Sequence, residues 1–289
     1  MEYRSTEERC LSELGPPTLA TGMRSETRID WEYFELTRAL PAESGGALAV
    51  ELVALFVDDA PEAARGIRVA LGSLRALDLV YEAHRLKGIA LALGATSVAE
   101  RSSEIEQLGR TGSLSLVLER LGVLDREIAD SIRLYKGAVQ LSPDHLVHTP
   151  SRAVEREPRR RRRDEYHGLT VLLADDNAIN RLVAREMLMA AGADVGEAVD
   201  GVQAVQRLQE AHFDVVVMDL QMPTLDGIGA VQQIRALANE RRRDVPVIAL
   251  TASASVEDGE LLRQLGFQAF LRKPLTPDSL LDAIDAVLA

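Results

Sequence analysis

The apolar residues of this chain keep a helical period through its first half, then switch to short strand-length runs in its second. That change of period, in a chain of 289 residues, makes two domains the expectation. In the first half Leu48, Leu52, Leu55 and Phe56 recur at helical spacing. Pro61 follows Asp59-Ala60 and fits the first turn of a further helix, whose apolar face is Ile67, Ala70, Leu71 and Leu74. Helices are predicted over 78–93, closing near Gly94, then over 95–108 and 114–135. Repeated amphipathic helices with short connections predict an all-α antiparallel bundle of four-helix type over 28–140, after an irregular segment 1–27.

The second half, 168–289, carries the runs Val171–Ala174, Val215–Met218 and Val245–Leu250, with weaker strands over 193–198 and 268–271. Helical stretches over 178–191, 202–211, 228–238 and 256–265 alternate with them. Five β/α units predict an α/β, doubly wound, parallel five-stranded sheet. Between the halves, residues 141–167 hold Pro143, Pro150 and Pro158 and the run Arg159–Arg163 without apolar periodicity, and read as a flexible linker.

Net charge is −12, and the linker is a basic island between two acidic regions. Nucleic acid is therefore not expected as a specific partner, and the arginine run reads as a solvated tether. A nucleic-acid or membrane adaptor built on that run would show binding that weakens steeply with salt. Cys10 is the only cysteine, so no disulfide forms within one chain, which suits a reducing compartment. Met1–Ser25 has no apolar run for a leader, and no stretch approaches the ~20 apolar residues of a membrane span. A cytoplasmic protein with no membrane span is expected. Aromatics are 4% of the chain, which predicts aliphatic cores.

Only three of the 33 basic residues are lysines, and two of those stand beside groups that can carry a phosphoryl. A compact ammonium on a flexible stem does what a planar guanidinium does not. Lys273 ends the fifth predicted strand. Asp175 and Asp176 follow the first, Asp219 ends the third and Thr251 ends the fourth. In a doubly wound sheet all of these meet at one edge, where ligands bind. Carboxylates so close repel and raise one another's pKa, which a hard divalent cation such as Mg2+ resolves. A carboxylate beside that cation, with an ammonium and a hydroxyl nearby, suits attack on phosphorus. Asp226-Gly227 reads as turn and helix-start chemistry.

Ala174-Asp175-Asp176-Asn177, Met218-Asp219-Leu220-Gln221-Met222-Pro223, Asp226-Gly227, Leu250-Thr251-Ala252 and Lys273-Pro274 together resemble a response-regulator receiver domain. The resemblance implies that the sheet is flavodoxin-like and that Asp219 accepts the phosphoryl group. It implies that Asp175, Asp176, Asp219 and the backbone carbonyl of Gln221 hold Mg2+, and that Lys273 and Thr251 contact the phosphoryl. It also implies that Thr251 and Phe270 act as the switch pair and that the Lys273–Pro274 peptide is cis. Asn180-Arg181 after Asn177 is reminiscent of receivers attached to hybrid kinases.

His84, Lys87 and Gly88 share one helix face at i, i+3 and i+4. Val80, Ala83, Leu86, Ala90 and Leu93 are expected to face the core, which leaves His84 at its edge. A glycine inside a helix costs roughly 1 kcal/mol relative to alanine, and this one leaves the imidazole open to a partner. Lys87 is placed to neutralise a phosphoryl on the ring. His145, His148, His167 and His212 have no such setting. Phe56-Val57-Asp58-Asp59-Ala60-Pro61, Ala83-His84-Arg85-Leu86-Lys87-Gly88 and Leu93-Gly94-Ala95 resemble a histidine phosphotransfer (Hpt) domain. Arg85 departs from the serine common after the histidine, which bears on partner choice through charge.

These readings predict a phosphorelay protein that passes phosphoryl groups between His84 and receiver aspartates, Asp219 included. Its expected partners are a sensor or hybrid histidine kinase and other receiver or Hpt proteins. The linker spans about 30 Å on average and permits His84 to meet Asp219 within one chain. No ATP-binding segment is read, so the chain is not expected to be a kinase, and its output is expected to be transfer or protein contact rather than DNA binding. In the alternative, the receiver is a phosphorylation-gated binding switch, and the bundle only docks partners with His84 idle.

Overall fold

The computed structural model describes residues 27–40, 48–140, 166–252 and 256–289. Cys10, His145, His148 and the Arg159–Arg163 run lie outside these residues.

The first half is helical: α1 (Trp31–Arg38), α2 (Leu48–Gly72), α3 (Ala76–Leu93), α4 (Thr96–Arg110) and α5 (Leu114–Gln140). Asp30 caps α1 by accepting from the Tyr33 N–H at 3.0 Å, a helix the apolar spacing did not predict. Gly94 closes α3 in the left-handed conformation, at φ 76°, as its position predicts.

One expectation fails. Pro61 does not begin a helix; it lies inside the continuous α2. Its missing N–H and its ring against the preceding turn cost ~3 kcal/mol. The buried face made by Leu52, Phe56, Ala60, Ala63, Ala64 and Ile67 runs unbroken past it. Each fully buried leucine, isoleucine or phenylalanine stabilises by ~1.5–3 kcal/mol, so two such contacts beyond the proline already offset the kink.

The expectation of purely aliphatic cores also needs correction. Trp31, Phe34, Phe56 and Tyr135 pack ring against ring, with centroids 5.1–6.0 Å apart. The Tyr135 hydroxyl donates to the carbonyl of Leu93 at 2.8 Å. A chain-wide percentage hides this concentration of aromatics at α1, α2 and α5.

The second half is a five-stranded parallel sheet in the order β2-β1-β3-β4-β5. The strands are β1 (Thr170–Ala174), β2 (Asp194–Ala198), β3 (Val215–Asp219), β4 (Val247–Thr251) and β5 (Ala269–Arg272). Helices α6 (Ala178–Ala190), α7 (Gly201–Glu210), α8 (Gly227–Arg235), the short α9 (Glu240–Arg243), α10 (Val256–Gln264) and α11 (Pro277–Leu288) connect and flank them. β3 and β4 are buried along their whole length, as parallel strands covered on both faces must be. Val171, Leu173, Val215 and Val217 face α6 and α11, while Leu172, Val216 and Met218 face α7 and α8.

The two halves touch. α3 packs against α6, and the apolar core of the bundle runs on into the α6–α11 side of the sheet. No helix among the described residues is long and apolar enough to cross a membrane.

Candidate functional site

The strand order reverses between β1 and β3, so the crevice at their carboxyl ends is where the sheet opens to a ligand. Asp175 and Asp176 follow β1, and Asp219 ends β3. Each offers an oxygen within 4.8 Å of the others, a group of hard donors that could hold a metal ion. Lys273 is buried between them, its Nζ 2.7 Å from Asp175 Oδ2 and 2.6 Å from Asp219 Oδ2. Thr251, at the end of β4, is buried beside this group. The five residues singled out at strand ends thus do converge.

Burial pushes the Asp175 carboxyl up to about 6; Lys273 works against that rise and Asp219 adds to it. Burial also raises Asp176. For Lys273, burial disfavours the ammonium, but Asp175 and Asp219 outweigh it and hold the pKa above its ordinary value. The pocket therefore keeps its cation and concentrates negative charge beside it. Backbone placement supports this. The Asn177 N–H and the Asn180 amide donate to Asp175 Oδ1 at 2.9 and 3.2 Å, and the Gln221 N–H donates to Asp219 Oδ1 at 3.2 Å.

Asp226 caps α8 by accepting from the Gly229 N–H at 2.7 Å, as read from the sequence. Gly227 has a further role: a Cβ there would stand 2.3 Å from the Asp219 carbonyl. Only a bare backbone lets α8 start so close under Asp219. The Lys273–Pro274 peptide is cis. Phe270 lies half-buried on β5.

On the bundle, His84 and Lys87 lie on α3 at the edge of its core. Leu79 rather than Val80 is the buried residue at the start of that face. Sequence reasoning missed the residue that completes this site. Glu106, on α4, is 4% exposed and meets His84 Nδ1 at 3.0 Å, Lys87 Nζ at 3.5 Å and an Arg110 guanidinium nitrogen at 2.6 Å. Burial alone would raise its pKa; the hydrogen bond and charge of His84, then Lys87 and Arg110, reverse this and lower it. An ionised carboxylate only accepts, so the proton of this hydrogen bond is on His84 Nδ1, and in the neutral ring that leaves the lone pair to Nε2. The available signal was an acid in register with Ser102 and Gly109 on the inward side of α4.

Arg85 is paired along its own helix, its Nε 3.0 Å from Glu82 Oε2, and half-buried. His212 pairs with Asp214 at 3.2 Å, away from both groups, and His167 is exposed.

The two groups meet in one cavity of about 490 Å3, whose walls include His84, Lys87 and Glu106 from the bundle and Asp219, Gln221 and Thr251 from the sheet. Tyr81, one turn before His84, donates its hydroxyl to Asp176 Oδ2 at 2.8 Å. Burial and then the charge of Asp176 raise the tyrosine pKa, so the hydroxyl stays a donor. One turn after His84, a Cβ on Gly88 would meet Asn180 Nδ2 at 3.1 Å. The partner to which Gly88 opens the helix face is, in this structure, the sheet domain of the same chain.

A switch-point acidic cluster with its lysine, facing a helix-borne histidine, is the architecture of a paired receiver and phosphotransfer protein. Comparison with known proteins agrees. The response regulator receiver domain model matches residues 171–285, and the Hpt domain model matches 51–133. The polar-differentiation response regulator DivK of Brucella ovis is 30% identical over 119 residues, 41% of this chain and 95% of that protein. The sensor protein EvgS of Escherichia coli strain K12 is 38% identical over 112 residues, 39% of this chain but only 9% of that protein. A solved receiver domain of the sensor histidine kinase PA1611 from Pseudomonas aeruginosa PAO1, with magnesium in its active-site cleft, is 37% identical. It covers 42% of this chain and 98% of that one, at a TM-score of 0.39. The chain belongs to the response-regulator receiver family, with an Hpt domain ahead of the receiver.

Proposed function

We propose that this chain is a cytoplasmic phosphorelay intermediate in which His84 and Asp219 exchange a phosphoryl group and pass it to or from other proteins. The working units are residues 28–140 and 168–289, tethered by 141–167. The observation that carries this reading is the shared cavity lined by both His84 and Asp219. Its other partners are histidine kinases, receivers and Hpt proteins.

The chemistry follows from the protonation states. From a phosphorylated Asp219, His84 Nε2 attacks phosphorus, the P–N bond forms, the acyl P–O bond breaks, and the carboxylate leaves. The Nδ1 proton stays on the ring, and Glu106 balances the charge that develops there. Lys87 and Lys273 approach the phosphoryl oxygens from the bundle and receiver sides. The reverse step runs through the same contacts. Asp175, Asp176, Asp219 and the Gln221 carbonyl are the ligands we assign to Mg2+, an ion that suits clustered carboxylates and phosphate oxygens. Bound there, it would neutralise the transferring oxygens. Thr251 and Phe270 are assigned as the pair that reports occupancy.

The test is incubation of the wild type, His84→Gln and Asp219→Asn with a phosphorylated hybrid kinase. Stability of the label to acid and to alkali then separates phosphoaspartate from phosphohistidine. The wild type should carry both, and each variant should lose one. No label on either residue with any donor overturns the proposal. Downstream phosphate flow that survives His84→Gln would return the bundle to a docking role. The buried Glu106 contact argues against that outcome, since an idle histidine has no need of a fixed tautomer. Transfer within one chain has its own check. Mixed His84→Gln and Asp219→Asn chains should exchange phosphate far more slowly than the intact protein at low concentration.

A further inference from the structure

Part of the contact between bundle and receiver is apolar: Leu91 and Ala92 on α3 and Val183, Pro274 and Leu275 line one small gap between them, and the bundle core runs on into the α6–α11 side of the sheet. Apolar burial holds surfaces together but is not directional, and it leaves them free to slide. A hydrogen bond onto a carboxylate fixes distance and angle. Tyr81 supplies one, 2.8 Å from Asp176 Oδ2. Tyr81 precedes His84 by three positions and so lies on the same face of α3. On the other side of His84, Gly88 seats Asn180, whose amide donates to Asp175 Oδ1 at 3.2 Å. The helix carrying His84 is thus hydrogen-bonded to Asp176 one turn before the histidine and lies close against Asn180, itself bonded to Asp175, one turn after it.

Building on the relay reading above, we propose that Tyr81 is a positioning residue for transfer between His84 and Asp219 of one chain. Its hydroxyl, bound to Asp176, sets the register of α3 on the receiver. A carboxylate has a second oxygen, so the hydroxyl on Oδ2 leaves Asp176 able to bind a cation. Register matters because a displacement of about 1 Å at a transfer site can cost about a hundredfold in rate.

The test uses the full chain as wild type and Tyr81→Phe, which keeps the ring and removes only the hydroxyl. A small acyl phosphate loads Asp219, and the label is followed until it becomes alkali-stable on His84. Small-angle scattering of the same proteins, without added cation, reports whether the domains stay closed. In Tyr81→Phe the step from Asp219 to His84 should slow about tenfold or more relative to the loading of Asp219, the loss expected for one hydrogen bond to a charged group. The scattering should shift toward a more open chain. Equal rates overturn the proposal. So does equal slowing of both steps, which would mark a general structural role. If label never reaches His84 in the wild type, the relay reading fails, and the scattering alone decides on Tyr81: identical curves overturn its docking role as well.

Discussion

The receiver pocket and the histidine site are built on different principles. In the pocket, every charged group follows a strand of one parallel sheet, and the strand order itself brings Asp175, Asp219, Thr251 and Lys273 together. Around His84, the face of one helix supplies the histidine and lysine, while the counter-charge, Glu106, comes from the next helix, 22 residues on. The pocket holds more negative charge than its lysine offsets, and the histidine site more positive charge than its glutamate offsets. The structure sets these two surpluses against each other across one cavity. On the relay reading, that contrast would draw a phosphoryl group toward the bundle and a divalent cation toward the receiver.

The comparison breaks most sharply at Lys273. Replacing it with methionine leaves Asp175 and Asp219 buried with no ammonium between them. Removing one partner of a buried ion pair typically costs ~3–5 kcal/mol. Urea unfolding of Lys273→Met without divalent cation should show a loss of that size in the receiver transition, partly recovered when Mg2+ is added. Recovery by Mg2+ but not by an equal ionic strength of NaCl would show that a bound cation substitutes for the ammonium.

The corresponding change on the other side is Glu106→Ala. It strands His84 Nδ1 and leaves Lys87 near Arg110 without the shared carboxylate. The expected cost is about 1–3 kcal/mol in the bundle. Transfer to His84 should also slow about tenfold as the tautomer is released. A normal rate would mean that the ring is oriented by its packing alone.

How much of this was legible follows from the same contrast. Parallel strands place all their carboxyl ends on one edge, so Asp175, Asp176, Asp219, Thr251 and Lys273 could be gathered from linear order alone. A helical bundle offers no such rule. His84, Lys87 and Gly88 are visible because they share one helix face. Glu106 and Tyr81 are not, because the pairing of α3 with α4 and with α6 depends on side-chain interlocking that apolar spacing does not encode. The same limit explains α1 and Pro61. The first has too few apolar positions for its period to register, and the second obeys a packing energy greater than its local preference.

Gly88→Ala should give a smaller effect with opposite signs in the two halves of the comparison. Alanine is the better helix former, so the isolated stability of the bundle should rise by up to ~1 kcal/mol. The added methyl meets the Asn180 amide, which must give way and loosen its bond to Asp175. Transfer from Asp219 to His84 should therefore slow a few-fold, by about 1 kcal/mol or less of barrier, even as unfolding becomes harder. Slower transfer with a less stable bundle would instead point to damage within α3.

The smallest effect is a pH dependence of the bundle, carried by Glu106. Glu106 is faced by His84 and Lys87 from α3 and by Arg110 from its own helix, and these hold its folded pKa below the ordinary glutamate value of 4.5. A carboxyl depressed on folding binds fewer protons folded than unfolded, so its stabilisation is complete above 4.5 and drains away as the pH falls through the folded value. Unfolding measured from pH 6 down to about pH 3 should show the bundle losing stability over that window, and Glu106→Gln should flatten the slope there. In the receiver the buried Asp175 and Asp176 are shifted upward instead, while Asp214, held by Thr170 and His212 nearer the surface, is shifted down as Glu106 is. The opposite shifts of Glu106 and of Asp175 follow from what faces each: a histidine and two further cations around one acid in the bundle, burial and neighbouring acids around one lysine in the receiver pocket.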